Sequence, residues 1–190
     1  MERQEIMEKL ERLGIENDQA QSDKSKKYLN ITRDTGEFLS VLVKATGANQ
    51  ILEIGTSNGY STIWLASALQ DSGMVYTIEA NPEKVREASV NFAIANVGSK
   101  VTQLVGDVNE VLTDVPEQMD FIFLDADRKT YVALAERLFQ CLKPGGLLVC
   151  DNATSHQDEL EAFTCWLSHQ SNLSTSLVPV GKGELLVYKS

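Results

Sequence analysis

Little in this 190-residue chain marks it for a membrane, for nucleic acid or for an oxidising compartment. No apolar run approaches the roughly 20 residues that span a bilayer. The opening Met1-Glu2-Arg3-Gln4-Glu5 lacks the apolar core of a signal peptide. Positive charge is scarce: 17 Lys and Arg against 27 Asp and Glu give a formal charge of −10. Such a surface repels a phosphate backbone, so nucleic acid is not an expected partner. The three cysteines, Cys141, Cys150 and Cys165, form no CxxC pair. An odd count inside apolar stretches predicts reduced, buried thiols in a cytoplasmic protein. Nothing around them marks a nucleophile. With four prolines and no low-complexity tract, no linker divides the chain, and a single domain over 1–190 is predicted.

What is present is a core-forming composition, 43% hydrophobic and 23% charged, and an alternation. From Gln50 onward, short apolar runs alternate with helical stretches. Strands are predicted at Gln50–Ile54, Met74–Glu79, Val101–Val105, Phe121–Asp125, Leu147–Asp151, Ser174–Val178 and Glu184–Tyr188. The first five read as strands covered on both faces. Helices are predicted near Ser61–Leu69, Pro82–Asn96, Lys129–Cys141 and Gln157–His169, with Pro144-Gly145-Gly146 as a turn into a strand. Strand–helix alternation implies a mainly parallel sheet. The short link Pro179–Gly183 implies an antiparallel last pair. Residues 1–46 differ and read as a helical cap: Glu2–Leu13, ending at Gly14, then a polar loop over Glu16–Lys27, then Thr35–Thr46. The apolar face of the first helix is free either to dock within the chain or to join two copies.

The segment Ile51-Leu52-Glu53-Ile54-Gly55-Thr56-Ser57-Asn58-Gly59-Tyr60-Ser61 is a strand, a glycine turn and a helix start. Glycines there permit a tight turn and close ligand approach. The spacing is Gly-x-Ser-x-Gly, and the side chain of Ser57 leaves less room for a pyrophosphate than a dinucleotide binder has. A nicotinamide-dependent oxidoreductase is disfavoured on that ground. Glu79 ends the second strand about 25 residues after the turn, a separation suited to a carboxylate that accepts from both ribose hydroxyls. Asp107 follows the third strand and suits an adenine amino group. All three pieces belong to the carboxyl edge of one sheet, where ligands of open α/β sheets bind.

These segments resemble the S-adenosylmethionine-dependent O-methyltransferases of the catechol and caffeoyl-coenzyme A type, particularly their short bacterial relatives. The likeness rests on Asp34–Leu39, Leu52–Ser61, Thr77–Glu79, Phe121–Asp127, Lys143–Leu148, Asp151-Asn152 and Pro179–Gly183. It implies a Rossmann-like α/β fold of class I methyltransferases, with a seven-stranded, mostly parallel sheet and an antiparallel last strand. It also implies that Glu53, Gly55, Ser61, Glu79 and Asp107 surround S-adenosylmethionine, with Thr32 near its amino-acid end. Ser57, Gly59 and Tyr60 of the turn, Ala80 and Val108 beside the two acids, and Asp125 complete the expected cofactor set, Tyr60 over the methionine part.

Asp125, Asp151 and Asn152 follow apolar strands. Two carboxylates and an amide oxygen suit a hard divalent cation such as Mg²⁺, and in the resembled family these positions hold the metal. An Asp at a strand end and an Asn at a helix start are also ordinary structural features. The metal would bind both oxygens of an ortho-diphenol and lower the pKa of the attacking one. In the resembled enzymes a Lys three residues after the first Asp acts as base. Here that position is Arg128, which cannot deprotonate, with Lys129 next and His156 a further candidate base. The longer relatives carry a covering insertion after the metal pair that this chain lacks, so a more open acceptor pocket is expected, or one completed by the N-terminal segment or a second subunit. The expected activity is methyl transfer to a hydroxyl of a small aromatic acceptor. The alternatives are a metal-independent methyltransferase and a non-catalytic cofactor-binding protein.

Overall fold

The computed structural model describes residues 3–190, so Met1 and the predicted helix start Glu2 lie outside the described residues. Seven strands form one sheet: β1 (Gln50–Ile54), β2 (Met74–Glu79), β3 (Val101–Val105), β4 (Met119–Leu124), β5 (Leu142–Cys150), β6 (Leu173–Val178) and β7 (Glu184–Lys189). Their spatial order is β3-β2-β1-β4-β5-β7-β6. The pairs from β3 through β5 are parallel, and β7 runs antiparallel to both β5 and β6. Seven helices surround it: α1 (Arg3–Ala20), α2 (Arg33–Thr46), α3 (Tyr60–Ala68), α4 (Pro82–Ile94), α5 (Val108–Val111), α6 (Tyr131–Cys141) and α7 (Gln157–Ser168).

The central strands explain the two layers. Along β4, Phe121 and Phe123 face one core with Ile6, Leu39, Ile63 and Phe92 of α1 to α4. Ile122 and Leu124 face the other with Leu134, Leu138, Phe163 and Leu167 of α6 and α7. Successive strand side chains point to opposite faces, so a strand buried on both is mainly apolar, with any buried polar side chain hydrogen-bonded. Truncating a fully buried Phe121 to Ala costs about 3–5 kcal/mol.

Several expectations are corrected. Helix α1 does not end at Gly14 but continues to Ala20, taking up the first part of the predicted loop. Gly14 is a contact point: a Cβ there would lie 2.5 Å from Asn30 Nδ2, and Asn30 Nδ2 donates to Leu10 O at 3.1 Å. A glycine inside a helix costs only about 1 kcal/mol, so packing overrides the stop signal. The rest of the loop holds a 3-10 turn, Lys24–Lys26, capped by Asp23. Strand β5 begins at Leu142, not Leu147, and Pro144-Gly145-Gly146 sits inside it where the pairing register with β4 shifts. Edge strand β3 is only half-buried, with Val105 exposed, because no further strand covers it. Cys141 is half-buried and Cys165 is exposed, so only Cys150 of the three free thiols is buried. The apolar face of α1 docks within the chain, where Ile6, Met7 and Leu10 are buried. No helix of the described residues is long and apolar enough to cross a membrane.

Candidate functional site

Each parallel ladder extends one residue past its strand. Gly55 N–H donates to Ile78 O, Gly106 N–H to Glu79 O, Asp125 N–H to Ile54 O and Asp151 N–H to Leu124 O, each at 3.0 Å. These bonds bring the turn, the two acids and the predicted metal residues to one edge. Gly55 adopts φ 105°, and a Cβ there would overlap the Asp125 carbonyl, so glycine is required where β1 and β4 hand over their chains.

A cavity of about 820 Å³ lies along this edge, large enough for a nucleoside-bearing cofactor with an acceptor beside it. Of the predicted cofactor residues, Gly55, Ser57, Tyr60, Ser61, Glu79, Ala80, Asp107, Val108 and Asp125 line it. Glu79 accepts from Ser57 N–H and Asn81 N–H, both at 2.9 Å. Its carboxylate is therefore fixed yet keeps lone pairs for ribose hydroxyls. Asp107 caps α5 and accepts from Asn109 N–H at 2.8 Å, a bond that holds its carboxyl below the usual carboxylate range. Burial pushes the Tyr60 phenol up to about 12.

Three members of that set stand behind the cavity wall. Glu53 is fully buried and accepts from Ser61 Oγ, Thr62 Oγ1 and Thr77 Oγ1 at 2.5–2.6 Å. Burial pushes it up to about 7 against the pull of these hydroxyls. It braces the helix start, and Ser61 is the partner that reaches the cavity. Gly59 is the N-cap of α3 with φ 87°, packed where a Cβ would meet Phe92. Thr32 caps α2, its side chain accepting from Thr35 N–H at 3.4 Å, while its neighbour Ile31 lines the cavity. A cap side chain turned to its own helix explains why Thr32 itself does not.

Asp125 and Asn152 also line the cavity, and Asp151 lies directly behind Asn152. Asp151 accepts from Asn152 N–H at 2.7 Å and Asn152 Nδ2 at 2.6 Å. Asn152 has φ 64°, a left-handed conformation that costs energy in a residue with a side chain and tends to persist at functional sites. Burial, then the charge of Asp151, pushes Asp125 well above its ordinary range. Glu184 is fully buried nearby, with Oε1 accepting from Thr35 Oγ1 and Oε2 unpartnered. Burial and Asp151 raise it to about 9. No group of three or more His, Cys, Asp or Glu spaced for a metal occurs among the described residues. The candidate set is therefore two carboxylates and an amide. Its chemistry fits a hard divalent cation, which would relieve the repulsion between the two aspartates.

Lys129 and His156 line the same cavity and are exposed. Arg128 is nearly buried and pairs with Glu159 at 2.7 Å. His156 Nδ1 shares a 2.9 Å bond with Ser155 Oγ. The N-terminal segment, one of the alternatives for completing the pocket, supplies a roof, though its residues were not named from sequence. Lys24, Ser25 and Tyr28–Ile31 line the cavity, as does Lys182. This strap is held by Ser57 Oγ donating to the Tyr28 carbonyl (2.7 Å), Tyr28 Oη donating to Glu87 (2.7 Å) and Lys84 Nζ donating to the Lys27 carbonyl (2.7 Å). The lysine-rich run was the only signal, and it reads equally well as a solvated loop.

A doubly wound sheet with an antiparallel β7, a glycine turn, and acids after β2 and β3 define a Rossmann-like methyltransferase. The sequence profile of a family described as O-methyltransferase matches residues 1–189. A relative from Mycobacterium avium (strain 104), itself named within that class, is 35% identical over 172 residues, 82% of this chain and 76% of its own. A catechol O-methyltransferase of Niastella koreensis is 34% identical over 128 residues, 65% of this chain and 58% of its own. Among solved structures, the O-methyltransferase TomG of Streptomyces achromogenes, involved in tomaymycin synthesis and bound to S-adenosylmethionine, superposes with a TM-score of 0.85. It is 27% identical, over 98% of this chain and 90% of its own. The chain belongs to the O-methyltransferase family and is an S-adenosylmethionine-dependent methyltransferase.

Proposed function

We propose that the protein methylates a hydroxyl of a small aromatic acceptor, of the ortho-diphenol kind, with a divalent cation held by Asp125, Asp151 and Asn152. The observation that carries this reading is the meeting of those residues beyond neighbouring strands β4 and β5 at the edge of one cavity. Glu79 and Asp107 hold the adenosine, while Gly55 and Ser57 let the turn approach it. The acceptor oxygen attacks the sulfonium methyl carbon in line, the oxygen–carbon bond forms, and the carbon–sulfur pair returns to sulfur, giving S-adenosylhomocysteine. Asp125, Asp151 and Asn152 would hold a divalent cation such as Mg²⁺, whose charge would lower the pKa of the acceptor hydroxyl. The hydroxyl proton leaves toward the rim, where Lys129 and His156 are within the same cavity. Arg128 stays protonated and anchors Glu159 of α7.

The test is S-adenosylhomocysteine release with caffeic acid, in Mg²⁺ and in EDTA. Release that needs Mg²⁺ supports the reading. Release that survives exhaustive chelation favours a metal-independent reaction with His156 or Lys129 as base, a reading supported by their exposure at the rim.

A further inference from the structure

Lys182 occupies an unusual setting. It is the only residue with a side chain between Gly181 (φ 56°) and Gly183 (φ 93°). A Cβ at Gly181 would overlap Thr35 Oγ1, and one at Gly183 would overlap Thr154 Oγ1. The backbone is fixed on both sides. Gly181 N–H donates to Asp34 Oδ2 at 3.1 Å. The Lys182 carbonyl accepts from Thr154 N–H and Ser155 N–H at 3.1 Å each, and the Gly183 carbonyl accepts from Ala153 N–H at 2.8 Å. The turn is thus clamped between α2 and the loop that carries Asn152 and His156, and the lysine side chain lines the cavity with those residues and Asp125.

The order of strands orders the ligands. Glu79 and Asp107 follow β2 and β3, Asp125 follows β4, Asn152 follows β5, and Lys182 precedes β7 on the far side. From β4 to β7 is two strand spacings, about 10 Å, a gap that one aromatic ring and an extended lysine side chain bridge. The rim cations are not all matched. Arg128 is paired with Glu159, and Asp127 caps its own turn by accepting from Lys129 N–H. Neither Lys129 nor Lys182 forms an ion pair among the described residues. In a chain of formal charge −10, an ammonium group free of ion pairs on this side of the cavity is a local exception to a field that repels anions.

We infer that Lys182 binds a carboxylate on the acceptor ring, remote from the hydroxyl that receives the methyl group. This rests on the diphenol reading above and names the class of acceptor: a hydroxylated aromatic acid. Lysine meets such a group as a point charge without bidentate geometry, so Lys182→Arg retains the preference and Lys182→Met removes it.

The test compares 3,4-dihydroxybenzoate with its uncharged amide in the full chain, with Mg²⁺ and S-adenosylmethionine. The wild type is expected to favour the acid at least tenfold in kcat/KM. Lys182→Met is expected to lower that ratio at least fivefold through the KM of the acid, and Lys182→Arg to keep it. Equal kcat/KM for acid and amide, or a ratio unmoved by Lys182→Met, overturns the inference and leaves the diphenol reading intact. A variant that raises only the KM of S-adenosylmethionine assigns the lysine to the cofactor's own carboxylate and also overturns it. Methylation of neither compound defeats the diphenol reading and this inference together.

Discussion

The two halves of the sheet edge are built differently. After β1 to β3 the site is made of backbone: glycine turns, N–H groups, and acids whose oxygens already accept from them, as Glu79 does from Ser57 and Asn81. After β4, β5 and before β7 it is made of charge. Asp125, Asp151 and Glu184 crowd together with few donors, and among the described residues Lys129 and Lys182 form no ion pair at the rim. The first half suits a ligand that is the same in every turnover and can be met by a preorganised surface. The second holds groups left uncompensated among the described residues, as the proposed cation and acceptor require.

Asp151→Ala should break the charged half alone. We expect at least a hundredfold loss of kcat with Mg²⁺ present, and a calorimetric S-adenosylmethionine Kd within about threefold of wild type. Full activity would show that the aspartates do not serve the reaction. Glu53 sharpens the contrast from behind. Its folded pKa of about 7 lies above the ordinary value of 4.5, so the folded state holds more protons between those values. Stability is therefore highest below about pH 4.5 with respect to this group and falls as pH rises toward 7, by on the order of 3 kcal/mol. Urea melts across that window should show the decline, and Glu53→Gln should flatten it. Glu79→Ala should raise the S-adenosylmethionine Kd about 10–50-fold, the worth of its charge-assisted bonds, with kcat at saturation nearly kept. If kcat fell instead, the two halves would not be separable. Thr32→Ala, which removes the α2 cap, should cost about 1 kcal/mol in stability and leave the S-adenosylmethionine Kd unchanged.

The same division governs what could be read from sequence. Strands β1, β2 and β4 are mostly apolar because both faces are covered, and that pattern is local. Gly55, Glu79 and Asp107 were legible because their spacing follows from a strand, a turn and a crossover. Thr32, Gly59 and Glu53 stand outside the cavity lining, since spacing does not say whether a side chain faces a cavity or braces its wall. An N-terminal roof was one of the alternatives, but its residues were not legible because its bonds run from side chains to backbone far away in sequence, as from Ser57 to Tyr28 and Lys84 to Lys27. Lys182 lies in the Pro179–Gly183 segment that carries the likeness, but its role was not legible, since the demand of its two flanking glycines comes from Thr35 and Thr154 in three dimensions.

The strap over the cavity carries a consequence for timing. Its fastenings run to the glycine turn and to α4, and it begins where α1 ends, with Tyr28 and Leu29 N–H donating to Asp18. With the cofactor in the cavity as proposed, its departure is expected to require several of these bonds to open together, so that weakening them, as in Ser57→Ala, should speed the release of S-adenosylhomocysteine.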